Sequence, residues 1–339
     1  MKPKILVIGC GSIGERHLRC FQRTGRAQMF ACEMNAALLE KITQQYQVTG
    51  FPDVATALKA ERFDGAVVCV PANLHIAIAL RCYRQGAALL IEKPLSTALG
   101  EVEELRQEIA QRKQFVRVAF VYHFQPGLKA MREVLRKGTL GQALQAAAVV
   151  GQHFPTFRPA YRQIYYTRHE TGGGAIQDMM PHLVNAIEWL VGPSTRVYCE
   201  AGHQALEGVT VEDAVCAAAR NGDVLTTYAL NQFQAPNEAT FFVHCERGSL
   251  KAELHEQRWG LFAHGASGWE YHQAPVKERD DLFVAQASAF LDGMAGADTE
   301  LATLDEAEQT LKFNLGALES WRTGKPVEIA GKREGQRGE

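Results

Sequence analysis

The feature that most constrains this chain is the stretch KILVIGCGSIG (Lys4 to Gly14), a short apolar run followed by glycines at 9, 11 and 14 and then by the helical pattern ERHLRCFQRTG. An apolar run without polar alternation suits a strand buried on both faces of a parallel sheet, and parallel strands require a long crossover between them. The crossovers are present. AQMFACE (27–33), FDGAVVCV (63–70), AALLIEKP (87–94) and QFVRVAFV (114–121) repeat the strand pattern. Among them lie the helical runs NAALLEKITQQY, NLHIAIALRCYRQG and LGEVEELRQEIAQRK, with Asn35 and Asn73 as starts and Gly86 as a stop. This alternation predicts an open, doubly wound parallel sheet of the Rossmann type over residues 1–121, with any ligand along the carboxyl ends of its strands.

Beyond Tyr122 the pattern changes. PGLKAMREVLRKG is helical, but QALQAAAVV, TRVYCEAG, EDAVCAAAR, DVLTTYAL and ATFFVHCERG then read as strands joined by short polar turns. The Asn-Gly pair in RNGD (220–223) predicts a tight hairpin. Helices return at DDLFVAQASAFLDGM and LDEAEQTLKFNLGALESWRTG, and the polar end, 329–339, is expected to be a flexible tail. Residues 122–328 should therefore form a second α/β domain with a large, mostly antiparallel open sheet, and 339 residues suffice for two cores.

A formal net charge of −2 gives no electrostatic reason to expect nucleic acid or an anionic membrane as partner, which leaves small ligands. The apolar runs fall far short of the ~20 residues that cross a bilayer. Met1-Lys2-Pro3-Lys4 does not open a signal peptide, so a cytoplasmic location is expected. Eight cysteines are scattered without a C-x-x-C pair, which predicts reduced core thiols and neither a disulfide framework nor a metal site.

Gly9, Gly11 and Gly14, with Ser12 and Ile13 between them, form G-x-G-x-x-G at a strand-to-helix junction. There small residues permit a tight turn and let a pyrophosphate approach the helix amino end. Glu33 ends the second strand run, 19 positions after Gly14, where an acid binds adenosine ribose hydroxyls. A ribose phosphate would be repelled by Glu33, and no basic residue follows before Lys41, so NAD(H) is expected over NADP(H). Glu15-Arg16 excludes a kinase-like phosphate loop. A methyltransferase shares the glycine loop and the acid, and stays open on these residues alone.

Two further stretches carry chemistry. IEKP (91–94) projects Lys93 from the end of a strand, and TGGGAIQDMMPHLVN (171–185) sets three glycines before Asp178 and His182. If both lie in the first turn of one helix, spacing of four puts them on one face, and Pro181 is tolerated there. The loop HFPTFRPAYRQIYYTRHE (153–170) offers Arg158, Arg162 and Arg168 to a carboxylate or phosphate, and its rings to a sugar.

VIGCGSIGERH, PANLH, EKPL, GGGAIQDMMPH and VEDAVCAAARNGDVLTTYAL, in this order, resemble the glucose–fructose oxidoreductase, inositol dehydrogenase and MocA (Gfo/Idh/MocA) family from Ile5 to about Pro326. The resemblance implies a nucleotide-binding domain followed by a substrate domain whose open sheet joins subunits into a homodimer or homotetramer. It also implies hydride transfer at a secondary alcohol of a sugar, polyol, sugar acid or nucleotide sugar. By motif position, Lys93, Asp178 and His182 look like the catalytic set. Pro71, Asn73 and His75, with Glu92 and Lys93, match the cofactor side, and Tyr122 and Asn185 join the arginines on the substrate side. In this chain Met180 and Asn185 stand where many relatives have Gly and Asp. A redox-silent NAD-binding sensor with the same fold is the alternative reading.

Overall fold

Six parallel strands make the first sheet of the computed structural model, which describes residues 2–163 and 165–329. The run from Lys4 gives β1 (Lys4–Ile8), α1 (Ser12–Arg23), β2 (Gln28–Cys32), α2 (Ala36–Tyr46), β3 (Thr49–Phe51) and α3 (Val54–Ala60). β4 (Gly65–Val68), α4 (His75–Arg84), β5 (Ala88–Ile91), α5 (Gly100–Arg112) and β6 (Val116–Val118) complete it, in the order β3-β2-β1-β4-β5-β6. Ile5, Leu6 and Val7 are fully buried, as a strand covered on both faces requires. Burial of each such side chain is worth about 2 kcal/mol. Asn35 caps α2 as expected, its side chain accepting from the Leu38 amide (3.0 Å). The sequence reading passed over β3 and α3, because a strand of three residues shows no periodicity.

The second sheet has nine strands. After α6 (Pro126–Lys137) come β7 (Ala143–His153), the short α7 (Phe154–Phe157), α8 (Ala175–Asp178), α9 (Met180–Val191), β8 (Arg196–Gly202), β9 (Ala214–Asn221) and β10 (Val224–Asn231). β11 (Phe233–Cys245), β12 (Gly248–Glu253), β13 (Arg258–Ala263) and β14 (Glu270–Gln273) follow, then α10 (Arg279–Met294), α11 (Leu304–Thr323) and β15 (Val327–Glu328). The order is β14-β13-β12-β11-β7-β10-β9-β8-β15, antiparallel throughout except for the pair β10–β7. The RNGD hairpin is present one residue later than the Asn-Gly pair implies. Asn221 still pairs with Val224, and Gly222, at φ +59°, takes the first of the two loop positions. Along β9 and β10 buried and exposed residues alternate, so one face of these two strands is left uncovered among the described residues.

The chain divides into two compact units, and the division is not a single cut at 121/122. Among the described residues, the first comprises 2–125 with 170–172 and 276–308; the second comprises 126–163, 165–169, 173–275 and 309–329. α10, read from sequence as part of the second half, supplies Phe290 and Leu291 to the core formed by Leu18, Phe21 and Leu90. Phe290 meets the rings of Phe21 (6.0 Å) and Phe115 (5.8 Å), and Arg19 grips Asp280 through two bonds of 2.6 and 2.9 Å. Of the expected tail, Ile329 is buried and its N–H donates to the Thr195 carbonyl (2.7 Å), while 330–339 lie outside the described residues. Seven cysteines are buried free thiols and Cys216 is an exposed one. Among the described residues no helix is long and apolar enough to cross a membrane.

Candidate active site

The glycine turn between β1 and α1 is built by steric exclusion. Gly9 has φ +82°, and a Cβ there would lie 2.8 Å from the Cys69 carbonyl oxygen; a Cβ on Gly14 would lie 1.8 Å from the Gly9 carbonyl oxygen. Any side chain at position 14 would push α1 off the turn. Gly11 differs: a Cβ there would meet no protein atom within 4 Å, and α1 starts beside it with no side-chain cap on its amides. Glu33 reaches back to this turn, one carboxylate oxygen accepting from the Cys10 amide (2.8 Å) and the other from the Asn35 amide (2.9 Å). Burial, then the charge of Glu33, pushes the Cys10 thiol up to about 12, so it is no nucleophile. An amide-rich turn open at Gly11 and flanked by an acid fits a dinucleotide.

The EKP segment follows β5, and its side chains divide sharply by role. Glu92, expected on the cofactor side, is buried, with one oxygen 2.6 Å from Nε2 of the fully buried His17 and the other accepting from the Lys93 amide (3.0 Å). Burial pushes the Glu92 carboxyl up, but the hydrogen bond and charge of His17 and the charge of Lys93 outweigh it, and the group stays below the usual carboxylate range. His75 is buried as well. Nδ1 lies 2.8 Å from the Pro94 carbonyl and Nε2 lies 2.8 Å from the Val70 carbonyl, so the ring braces the PANLH turn against the EKP turn. Burial holds this imidazole below its ordinary pKa, so in the neutral form it donates to one carbonyl at a time. Neither Glu92 nor His75 presents a polar atom outward; both act on the backbone around Lys93. Pro71 precedes a 3₁₀ turn, Ala72–Leu74, that carries Asn73 outward.

The triple-glycine segment is held differently. Glu212, fully buried just before β9, accepts from the Ile176 amide (2.8 Å) and from His169 Nε2 (2.6 Å), and its carbonyl accepts from the Ala175 amide (2.9 Å). A Cβ on Gly174, at φ +87°, would fall 2.5 Å from either carboxylate oxygen, so glycine is required both for the backbone angle and for the carboxylate. Asp178 ends α8 and accepts from the Tyr165 hydroxyl (2.7 Å). The single helical turn expected to hold Asp178 and His182 is interrupted at Met179. Pro181 has no N–H to continue the ladder, and the His182 amide bonds the Met179 carbonyl (3.1 Å) instead. His182 lies in the first turn of α9.

The residues expected to meet substrate are divided. Asn185 is buried inside the second unit and donates to Thr310 Oγ1 (3.2 Å), which in turn donates to Glu188 (2.9 Å). Burial, opposed by bonds from Ser194, Thr310 and Gln309, pushes Glu188 up to about 7. Tyr122 packs against the core of the first unit, where burial raises its phenol to about 12. Arg162 is tied to Glu207 through the carbonyl (2.7 Å) and the carboxylate (3.2 Å). Arg158 follows α7, and Arg168 lies between two 3₁₀ turns, its carbonyl accepting from the Gly173 amide (2.8 Å). The rings of Phe154, Tyr161 and Tyr166 form a small core with Leu206, Val209 and Val211, so much of the loop's aromaticity is packing.

Two family models match the chain: an oxidoreductase family with an NAD-binding Rossmann fold over residues 3–120, and the GFO/IDH/MocA C-terminal domain over 128–251, together more than two thirds of it. The chain belongs to the Gfo/Idh/MocA oxidoreductase family. Within that family it is 22% identical over 312 residues to an inositol 2-dehydrogenase/D-chiro-inositol 3-dehydrogenase of Shouchella clausii, covering 86% of this chain and 84% of the relative. It is 26% identical to an inositol 2-dehydrogenase of Pseudomonas savastanoi over 56% of this chain and 55% of that one, so it spans about half the length of that relative. A levoglucosan dehydrogenase solved with NADH shares the fold at a TM-score of 0.88 and 17% identity, over 97% of this chain and all of that one. As a Gfo/Idh/MocA member the chain has the NAD-binding Rossmann architecture that its glycine turn implies.

Three contacts escaped the sequence reading of this family member. His17 sits in the GERH of the phosphate-loop helix, and its place among buried Leu18, Cys20 and Phe21 was the available signal. Glu212 opens the pair Glu212-Asp213, two acids entering a strand whose neighbours are apolar. Tyr165 lies in a loop with four other Phe and Tyr residues between 153 and 170, and nothing in the spacing singles it out.

Proposed function

We propose that this protein is an NAD(H)-dependent dehydrogenase that interconverts a secondary alcohol and a ketone on a polyol, sugar, sugar acid or nucleotide sugar. The observation that carries the reading is Glu33 seated in the glycine turn, where its carboxylate can accept from ribose hydroxyls and repels a ribose phosphate. The amides of the turn and of the first turn of α1 would hold the pyrophosphate, and bound NAD supplies the hydride acceptor. Lys93 stabilises negative charge developing on the substrate oxygen. His182 takes the hydroxyl proton, a role an imidazole can fill as general base. Asp178, bonded by Tyr165, orients or shares that proton. The inositol and levoglucosan dehydrogenases among its relatives support a polyol or sugar as substrate. The uncovered sheet face supports a homodimer or homotetramer, which light scattering at micromolar concentration tests.

The test is absorbance at the reduced-nicotinamide band with NAD or NADP against inositols, anhydrosugars, aldoses, sugar acids and nucleotide sugars. Turnover should prefer NAD, and Glu33→Ala should erase that preference by about tenfold, the equivalent of about 1.4 kcal/mol of lost repulsion. Equal efficiency of wild type with both cofactors would contradict the assignment of Glu33. NADH binding with no turnover on any panel member would favour the sensor.

A further inference from the structure

His17 is fully buried on α1, three residues after Gly14, and its imidazole bonds the buried Glu92 carboxylate at 2.6 Å. The second oxygen of that carboxylate accepts from the Lys93 amide (3.0 Å), and Phe283 of α10 meets the imidazole edge-on at 5.5 Å. The helix that opens at the phosphate turn and the segment that carries the lysine are thereby joined through one side-chain bond. We propose that His17 is a positioning residue for Lys93, acting through Glu92, and that it couples the nucleotide-binding helix to the placement of the lysine. The proposal rests on the reading of Lys93 as the oxyanion-stabilising residue.

The physical case is one of rigidity. A buried carboxylate keeps a fixed direction only while its strong acceptor sites are satisfied by donors that cannot move. Here one donor is the backbone amide of the lysine itself and the other is an imidazole locked in the core. Losing the imidazole frees the carboxylate to rotate, and a catalytic group displaced by a fraction of an ångström loses much of its effect. His75 restrains the far side of the same turn through Pro94, so the backbone around Lys93 is fixed from two directions.

Two polar variants of different reach test this. His17→Gln brings an amide N–H to where Nε2 lies, whereas His17→Asn is polar but too short to reach Glu92. Hydrogen exchange of the peptide spanning 89–98, measured without substrate, should quicken about tenfold in His17→Asn and stay near wild type in His17→Gln, with NADH affinity unchanged in both. With the panel alcohol that wild type turns over, His17→Asn should lower kcat about tenfold or more at little cost in KM, and His17→Gln should restore it. In a Lys93→Ala background His17→Asn should cost nothing further. Exchange of 89–98 that is the same in His17→Asn as in wild type, or losses that multiply fully in the double variant, would overturn the proposal and leave the dehydrogenase reading intact. Full turnover by Lys93→Ala alone would overturn that reading and this proposal with it. If His17→Asn does not fold, Glu92→Ala breaks the same link from its other end, and the same exchange readings decide.

Discussion

The segment carrying Lys93 and the segment carrying Asp178 and His182 are held by contrasting means. Around Lys93, two buried imidazoles brace the chain, His17 through the Glu92 carboxylate and His75 through the Pro94 carbonyl. Around Asp178, one buried carboxylate, Glu212, gathers the Ile176 amide and His169 beneath Gly174. The first arrangement joins the E of EKP to the H of GERH, and sets the H of PANLH beside them. The second draws on the E of VEDAV, at a strand entrance farther along the chain. The lesson is that letters of a motif need not touch reacting atoms: Glu92 and His75 matched a cofactor pattern, yet both face inward and hold backbone.

The contrast can be strained in order of expected effect. Glu212→Ala leaves a buried amide and His169 without their acceptor, and should cost about 3 kcal/mol of stability. It should also cost activity, and a denaturant midpoint close to wild type would show that the triple-glycine turn is held by other contacts. The helix that carries His182 also holds a titrating core group, Glu188. Glu188 is pushed from 4.5 to about 7 by burial, so the folded state holds its proton more tightly than the unfolded chain does. That contribution is fully present below about pH 4.5 and is lost as pH rises to 7, an effect on the order of 3 kcal/mol. Urea midpoints should fall between pH 5 and pH 7 in wild type, and Glu188→Gln should flatten that decline; an equal slope in both would remove Glu188 as its source. Tyr165→Phe removes one hydrogen bond to Asp178 at a partly exposed phenol and should lower kcat only about threefold. A hundredfold loss would promote Tyr165 to the chemistry itself.

Much of this was legible in the sequence because it depends on local periodicity and steric limits. The β1 run and its glycines, the Asn35 cap and the RNGD hairpin are fixed by neighbours within a few residues. What was not legible depends on partners distant in sequence. The apolar stripe of α10 announces a buried helix but not which core receives Phe290. Glu92 announces an acid but not that His17 waits for it. Pro181 stands in the first turn of α9, where a proline is tolerated, but the break between α8 and α9 that keeps Asp178 out of that turn was not legible. Asn185 was assigned outward from a motif position, while Thr310, on a helix over a hundred residues later, draws it inward.

The most direct test of the account is the rate of NADH formation by wild type, Lys93→Ala and His182→Ala on the alcohol that wild type oxidises, with NADH affinity measured beside it. Both variants should bind NADH within about threefold of wild type while kcat falls about a thousandfold, the usual scale for losing a charge-stabilising group or a general base. Near-normal turnover by both would contradict the assignment of this chemistry to Lys93 and His182.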